Sequence, residues 1–272
     1  LVIDEGQDFP FQFYFFLGAL MQHSNWPNAA PTMTVFADDN QTMWEERASL
    51  SQIRTALGLG GSEEGRYHVL RKNYRNSRPI AELARHFYVG QKTGIPDLPD
   101  RAGPRPRLVE WQGDLEKGVG QIARVLKNRP GQEVCVIVPD NTRLLKKVVK
   151  GLEASLAETR YKVQYYYNKG GENLDEELVF DSGDYVTVLN MKSAKGLEFD
   201  IIFLVELQEM RVVDDARDDA RMNLYVMCSR ARKDLFLCFR NTGGAEPAFL
   251  SIMPPERDNL LDYRLRSNPT SL

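Results

Sequence analysis

The chain has 272 residues, of which 42% are hydrophobic and 27% are charged, a balance typical of a globular protein with one large or two ordinary domains. Its 35 Lys and Arg residues against 38 Asp and Glu residues give a net charge of −3, so any nucleic-acid surface has to be a local basic patch. No apolar run approaches the roughly 18 residues of a membrane span, and no signal peptide is visible. We therefore expect a cytoplasmic protein with no membrane partner.

The cysteines and histidines point away from disulfide and metal frameworks. The three cysteines are odd in number and lack metal-ligand spacing, which predicts reduced thiols in a core: Cys135, Cys228 and Cys238. The three histidines are scattered along the chain, which excludes a metal site built on histidine pairs.

The chain opens on a short apolar run, residues 1–3, that leads directly into Asp4 and Glu5. Such a run predicts a buried strand of a parallel sheet, and ligands of α/β proteins bind at the carboxyl ends of these strands. Two adjacent carboxylates there could divide two tasks. One would hold Mg²⁺, and the other would orient and deprotonate an attacking water. A plain acidic turn after a strand is the alternative.

The next elements follow at short intervals. A helix is predicted from residue 9 or 10 to about residue 21, and a second strand over residues 32–37. A further short strand is predicted over residues 67–70. Ser77 then caps a helix that has Pro79 in its first turn and apolar residues on one face.

From residue 107 onward, apolar strands and amphipathic helices alternate, which predicts an α/β fold with a mainly parallel sheet. The predicted strands cover residues 107–111, 133–138, 163–167, 185–189, 201–205 and 234–239, and the helices lie near 115–126, 144–152 and 215–229. Residues 94–106 hold four prolines and two glycines and predict an extended connection. Residues 168–184 predict a solvated acidic loop, and the tail from residue 243 is expected to pack irregularly.

Five segments carry the candidate chemistry, in this order: LVIDEGQD (1–8), VFADDNQTMW (35–44), LRKNYRN (70–76), VTVLNMKSAKGLEFD (186–200) and LYVMCSRARKDLFL (224–237). Together they resemble the later signature motifs of superfamily I DNA helicases of the UvrD/Rep type, over nearly the whole chain. The resemblance implies RecA-like (P-loop NTPase type) α/β domains with flanking helices. Residues 1–72 would be the C-terminal part of a first domain, residues 73–242 a complete second domain that includes the connection 94–106, and residues 243–272 a tail.

The resemblance also implies two sets of nucleotide residues. The catalytic set is Glu5, Gln41, Arg75 and Arg230. The set that binds ATP and Mg²⁺ is Asp4, Gln7, Tyr74, Gly196 and Glu198, with Asp4 as the metal ligand. The ring of Tyr74 beside the guanidinium of Arg75 suits stacking on adenine and pairing with phosphate. An arginine finger, the role implied for Arg230, increases the rate by a factor on the order of 10³–10⁵. Without the resemblance, Gln41 would be a surface-turn glutamine and Arg230 a solvated arginine at a helix end.

A third set would contact DNA: Trp44, Asn190 and Lys192. The family places an aromatic residue at the position of Trp44, where stacking on a base of single-stranded DNA is worth about 1–3 kcal/mol. An ordinary core tryptophan is the alternative. Asn190 and Lys192 stand where the family commonly has threonine and histidine. A lysine can pair with a phosphate but cannot accept a hydrogen bond, so DNA coupling through this segment is in question.

Other departures concern the phosphates and two small residues. Gly6 stands where alanine is usual, and Ala37 where glycine is usual. No G-x-x-x-x-G-K-[ST] phosphate loop occurs in the sequence, so the main binding site for the β- and γ-phosphates is absent from it. The interval between Arg75 and Asn190 is also short, because larger family members insert an accessory domain there.

The resulting expectation is the C-terminal portion of an ATP-dependent DNA helicase, with DNA repair as one context, that moves 3′ to 5′ on single-stranded DNA. ATP would bind between the two domains. The partners would be single-stranded or duplex DNA and the missing N-terminal part of the first domain, and the chain alone would be inactive. Three alternatives stay open: the motor part of a helicase–nuclease or defence protein, a non-catalytic module that binds DNA or protein, and an α/β domain unrelated to nucleotides.

Overall fold

The computed structural model describes residues 1–22, 32–38, 48–59, 67–90, 94–111, 113–166, 178–241, 243 and 245–264. The chain forms two compact units. The first unit comprises Leu1–Lys72 and Gly90–Pro96, and the second comprises Asn73–Val89 and Asp97–Leu272. Residues 90–96 thus belong to the first unit. No helix in the described ranges is long and apolar enough to cross a membrane.

The first unit is built on a two-stranded parallel sheet. Strand β1, Val2–Ile3, pairs with β2, Thr34–Val35, so that the predicted strands at residues 1–3 and 32–37 are present but short. Helix α1 runs over Phe11–Gln22, and α2 over Leu50–Ala56. Ser49 and Gln52 form a reciprocal capping box that satisfies amide groups at the start of α2.

Among the described residues of the first unit, four buried apolar side chains form a core cluster: Ile3, Tyr14, Ala48 and Ile53. Helix α1 is apolar on nearly every face, and its Phe15 and Phe16 side chains are 63% and 60% exposed. The two short strands and two helices of the described residues therefore leave much of the apolar surface of α1 uncovered.

The second unit contains a seven-stranded sheet in which all pairings between the described strands are parallel. Its strands are β3 Arg107–Trp111, β4 Val134–Val138, β5 Lys162–Tyr166, β6 Tyr185–Asn190, β7 Phe199–Leu204, β8 Ala231–Arg240 and β9 Asp262–Arg264. Across the sheet they lie in the order β5-β6-β4-β7-β8-β3-β9. Strand β4 is buried along its whole length, as expected of a central strand covered on both faces.

The described residues of this unit include four α-helices, namely α3 Arg78–His86, α4 Leu115–Lys127, α5 Thr142–Leu156 and α6 Arg217–Cys228. The apolar faces of α4 and α5 pack on alternate residues of the strands, including Val134, Val136 and Phe203, in one continuous core. Asp114 and Asn141 cap these two helices by accepting backbone N–H groups one turn later. Ser77 occupies the N-cap position of α3, although its hydroxyl makes no capping hydrogen bond.

The structure confirms the α/β class and the parallel sheet with flanking helices. The three cysteines are buried and free, as predicted. Two predictions are wrong. Residues 67–70 form no strand, and Leu70 is 80% exposed, because a short apolar run becomes a strand only where a partner strand is present. The tail is not irregular throughout, because β9 pairs in parallel with β3 and extends the sheet.

Candidate functional site

The carboxylates of the first unit lie at the carboxyl end of β1. The neighbouring strand β2 ends at the same edge, and Gly6 N–H donates to Phe36 O across 2.7 Å. Glu5 has a φ of 50°, a left-handed conformation that non-glycine residues adopt rarely and that is often retained at functional positions. The predicted strand-end position of Asp4 and Glu5 is therefore confirmed.

Gln7 connects the carboxylate of Glu5 to the end of β2. Its side chain is completely buried, its Nε2 donates to Glu5 Oε2, and its Oε1 accepts Asp38 N–H at 2.9 Å. The resemblance implied direct contact between Gln7 and the nucleotide. In this structure both ends of the Gln7 amide bond within the protein, and its nitrogen contacts the carboxylate of Glu5. The nucleotide role of Gln7 stays a prediction.

Gly6 is required by close packing rather than by backbone freedom. A Cβ atom at this position would lie 2.5 Å from Val35 Cγ1 and 2.8 Å from the hydroxyl of Tyr14. That hydroxyl donates to Gly6 O at 2.6 Å, and burial, with a smaller contribution from Asp8, raises the pKa of Tyr14 to about 12. In this structure a methyl group at position 6, where the resemblance makes alanine usual, would therefore lie too close to both neighbours.

Asp4 is the residue of this unit that best suits a Mg²⁺ ion. Its side chain is exposed, and Oδ1 accepts Glu5 N–H at 2.9 Å. No cluster of three or more metal-binding side chains occurs among the residues that the structure describes. Proteins commonly bind Mg²⁺ through one or two carboxylates, with water and substrate phosphates as the other ligands. Asp4 fits such a site.

In the second unit, the predicted nucleotide residues Arg75 and Glu198 form a direct ion pair through Arg75 Nε and Glu198 Oε1. Both side chains are about one-third exposed, so a charged ligand could reach them. Gly196 has a φ of 79°, and nothing would lie within 4 Å of a Cβ atom there, which leaves its backbone open to a ligand. Tyr74 is 77% exposed, as a ring that stacks on a ligand requires.

Arg230 lies in the same region but has a different environment. Its side chain is only 1% exposed, and its Nε donates to Val226 O at 3.1 Å. The alternative of a solvated helix-end arginine is wrong. The arginine-finger role also requires a change, because a phosphate can contact the guanidinium only after the side chain or the residues that cover it move.

Three segments that are distant in sequence meet at this point of the second unit. The segment of Arg75 contacts the segment of Arg230 through Asn76, whose Nδ2 donates to Ser229 O at 2.9 Å and to Ala231 O at 2.6 Å. The segment of Glu198 joins them because Phe199 N–H donates to Arg230 O at 3.1 Å. The structure therefore brings together the residues that the resemblance assigns to nucleotide in this unit.

The predicted DNA residues of the second unit lie at the opposite edge of the sheet. Asn190 is the last residue of β6 and pairs with Val138 of β4. Phe199 is the first residue of β7 and lies two residues before Ile201, which pairs with Val134 of β4. At about 3.3 Å per residue, the two edges are about 20 Å apart. The two predicted functions are thus separated by the length of the central strands.

Asn190 and Lys192 both have partners within the protein. Asn190 is 8% exposed, and its Oδ1 accepts Ser193 N–H at 3.0 Å, so it caps the turn that follows β6. Lys192 Nζ lies 3.7 Å from Asp140 Oδ2, in a pair whose side chains are both about 40% exposed. Lys192 is accessible to a phosphate, whereas Asn190 serves the local backbone.

Two further predicted residues, Gln41 and Trp44, lie outside the described residues, and their roles stay predictions. Sequence reasoning missed Asn76 and Asp140. The Asn73-Tyr74-Arg75-Asn76 spacing contained a signal for Asn76, because paired asparagines three residues apart often bond to the local backbone. Asp140 lies directly beyond a buried strand, as Asp4 does.

No family model matches the chain, and no curated protein matches it in sequence. Among solved structures, the chain is similar to the C-terminal domain of a possible DNA helicase from Lactobacillus plantarum WCFS1, with 22% identity and a TM-score of 0.48 over 71% of this chain and 99% of that domain. It is also similar to arterivirus nonstructural protein 10, a helicase solved in complex with DNA, with 14% identity and a TM-score of 0.32.

That second similarity covers 59% of this chain and 36% of the arterivirus protein. A third structure, T4 UvsW, is 12% identical with a TM-score of 0.33, over 83% of this chain and 40% of UvsW. The chain thus spans well under two thirds of the last two proteins. With identities of 22% or less and TM-scores below 0.5, these similarities establish neither a family nor an activity.

Proposed function

We propose that this chain is part of an ATP-dependent DNA helicase or translocase of superfamily I, with a RecA-like second unit that moves 3′ to 5′ on single-stranded DNA. One observation supports this most strongly. Arg75, Glu198 and the backbone of Arg230 meet in the second unit, although they lie far apart in the sequence. The motif resemblance names the same residues for one ATP site, and their proximity in the second unit agrees with that assignment.

Each proposed role follows from a chemical property of the residue. The exposed ring of Tyr74 stacks on adenine, and Arg75 exchanges part of its pairing with Glu198 for a phosphate oxygen. Glu5, held by Gln7, orients and deprotonates the attacking water. Arg230 turns outward during turnover and neutralises charge on the transferred phosphoryl group. Gln41, beyond the described residues, would sense that group.

Asp4 would hold Mg²⁺ with one carboxylate oxygen, and the ion would supply positive charge against the phosphates. The sequence lacks a phosphate-loop motif, so we propose that these 272 residues alone hydrolyse ATP negligibly.

The second unit also has a surface that suits DNA. The exposed face of α5 carries four basic side chains at helical spacing: Arg143, Lys146, Lys147 and Lys150. This helix begins at Asn141, next to the Asp140 partner of Lys192, at the carboxyl edge of the sheet. A basic stripe of this kind binds the phosphate backbone without reading sequence. Because the whole chain has a charge of −3, the stripe is a local feature.

The proposal is tested by DNA-stimulated ATP hydrolysis of the full-length gene product. Glu5→Gln removes the proposed base with little change in shape, so we expect kcat to fall by about 10²–10⁴-fold. Glu116→Gln, at an exposed position in the first turn of α4, is the control and should retain wild-type kcat. Full activity of the Glu5→Gln variant would contradict the proposal.

A non-catalytic module that binds DNA or protein is the second candidate. The buried side chain of Arg230 and the use of Asn190 as a turn cap favour it. Under this reading the full-length protein binds single-stranded DNA with a salt-dependent affinity but does not hydrolyse ATP. The same ATPase measurement on the wild-type protein decides between the two candidates.

A further inference from the structure

Asn76 is the most enclosed polar residue of the region where the three nucleotide segments meet. It is 1% exposed, and all of its side-chain hydrogen-bonding groups have partners. Its Nδ2 group donates to Ser229 O and Ala231 O, and its Oδ1 accepts Asn73 Nδ2 at 2.8 Å. A buried amide with this complete set of partners fixes the geometry of the backbone around it.

The chemistry of these partners determines which end of the amide faces them. Two carbonyl oxygens can be satisfied only by a group that donates two hydrogens, which in asparagine is the nitrogen. An aspartate has the same shape but presents oxygen to both carbonyls. Asn76→Asp therefore replaces two attractive contacts by repulsive ones with almost no change in volume.

The two carbonyls belong to Ser229 and Ala231, the residues on either side of Arg230. The carbonyl of Arg230 itself accepts Phe199 N–H, and Phe199 follows Glu198, the partner of Arg75. These contacts form a closed ring that runs from Arg75 through Asn76, the Arg230 backbone and Glu198 back to Arg75.

Three additional hydrogen bonds strengthen the ring on the Asn76 side. Asn73 Oδ1 accepts the N–H groups of Arg75 at 3.0 Å and Asn76 at 3.2 Å, and Ser77 N–H donates to Arg232 O at 3.1 Å. The backbones of Arg75 and Arg230 are therefore both held by hydrogen bonds. The side chain of Arg230 lies outside the ring and is the part that changes position in our proposed mechanism.

We propose that Asn76 is a positioning residue that sets the backbone of Arg230 relative to Arg75, so that the two arginines act on one phosphate group together. This inference rests on the proposed function. It adds that Asn76, which contacts no reacting atom, controls the alignment of the two cations through the Ser229 and Ala231 carbonyls.

The first test is a double-mutant cycle in the full-length protein with DNA-stimulated ATP hydrolysis as the readout. We expect Asn76→Asp to lower kcat by about 10–100-fold while KM for ATP changes less, and Arg230→Ala to lower it by about 10³-fold. The double variant should be no slower than Arg230→Ala alone, because Asn76 acts through Arg230. Losses in kcat that multiply would overturn the inference.

Gln164→Glu is the matched control for the change from amide to carboxylate. Gln164 is also buried, at 6% exposure, and its Nε2 donates to Val179 O and Thr187 Oγ1, neither of which belongs to the ring through Asn76. It should lower thermal stability as Asn76→Asp does but leave kcat unchanged below the melting temperature. A similar loss of kcat in both variants would show that Asn76 has only a structural role and would overturn the inference.

A second variant and a second measurement cover other outcomes. Asn76→Ser retains one donor and should fold where Asn76→Asp does not, with an intermediate kcat and the same non-additivity with Arg230→Ala.

Amide hydrogen exchange of the 272-residue chain needs no activity, and Asn76→Asp should speed exchange at Phe199 and Ser77 by at least about tenfold. Unchanged protection at Phe199 and Ser77 would overturn the inference. If protection is lost in Asn76→Asp but the full-length wild-type protein does not hydrolyse ATP, only the proposed function would be contradicted.

Discussion

The two units hold their candidate site residues by different means. In the second unit, the arginine segments rest on a seven-stranded sheet with a continuous apolar core. In the described part of the first unit, Asp4 and Glu5 follow a strand of two residues that packs on a cluster of four buried apolar side chains, and local bonds through Gln7 and Gly6 hold them. Among the described residues, local hydrogen bonds therefore hold the carboxylates, whereas the arginine segments rest on a large sheet.

This difference predicts where substitutions act. In the second unit, a change in the core should cost much stability, because neighbouring side chains fill the available volume. In the first unit, the same chemical change at Phe15 or Phe16 of α1 should cost little, because these two rings are already exposed to water. Local contacts at β1 and β2 should matter more there than bulk hydrophobicity.

The largest expected effect comes from the core of the second unit. Phe203 is 1% exposed and stacks on Phe236 with ring centroids 4.5 Å apart. Phe203→Ala should lower the free energy of unfolding by about 3–5 kcal/mol, measured by urea denaturation. The matched control is Phe16→Ala on α1, where the ring is 60% exposed and the change should stay within about 0.5 kcal/mol. Equal losses would contradict the contrast between the units.

A smaller effect is expected at Gly6, where the first unit is tightly packed. Gly6→Ala places a methyl group against Val35 and Tyr14, so the free energy of local opening should fall by about 1–3 kcal/mol in hydrogen exchange at β1 and β2. Gly120→Ala, in the interior of α4 with nothing within 4 Å of the new Cβ, should instead stabilise α4 by about 0.5–1 kcal/mol. A neutral or stabilising Gly6→Ala would show that β1 and β2 adjust freely.

The smallest effect is a pH dependence in the second unit. Burial, opposed by the contact with Ile252 O and reinforced by Arg221, lowers the pKa of His86 below its usual 6.5. Between that lowered pKa and about 6.5 the unfolded state binds more protons, so stability should decrease as the pH falls through this window and level off below it. His86→Gln should remove this part of the pH dependence in thermal unfolding at pH 5 to 7. An unchanged slope in the variant would contradict the assignment to His86.

Periodicity predicted most of the second unit and less of the first. The amphipathic spacing of α4 and α5 and the apolar run of β4 can be recognised in any single sequence, because the pattern itself is what the core buries. The strand predicted at residues 67–70 is absent, and the sheet pairing of β9 was missed, since pairing of such short segments depends on a partner rather than on their own composition.

For the candidate site too, the sequence predicted the identity of the residues but not the contacts that depend on distant segments. The resemblance indicated Arg75, Glu198 and Arg230, but not that Arg230 would be buried or that Asn76 would hold its backbone. Those facts depend on contacts between segments that lie far apart in the chain, and residue identity alone does not encode them. Gln7 is a similar case, because its role as a partner of Glu5 follows from the proximity of β2.

The central claim is that the arginine segments of the second unit act on ATP. DNA-stimulated ATP hydrolysis by full-length Arg75→Ala tests it most directly, with Arg78→Ala as the control, since Arg78 also pairs with a glutamate, Glu82, but on the exposed face of α3. We expect kcat to fall by at least about 10²-fold in Arg75→Ala and to stay within about twofold in Arg78→Ala. Equal activity of the two variants would contradict the account.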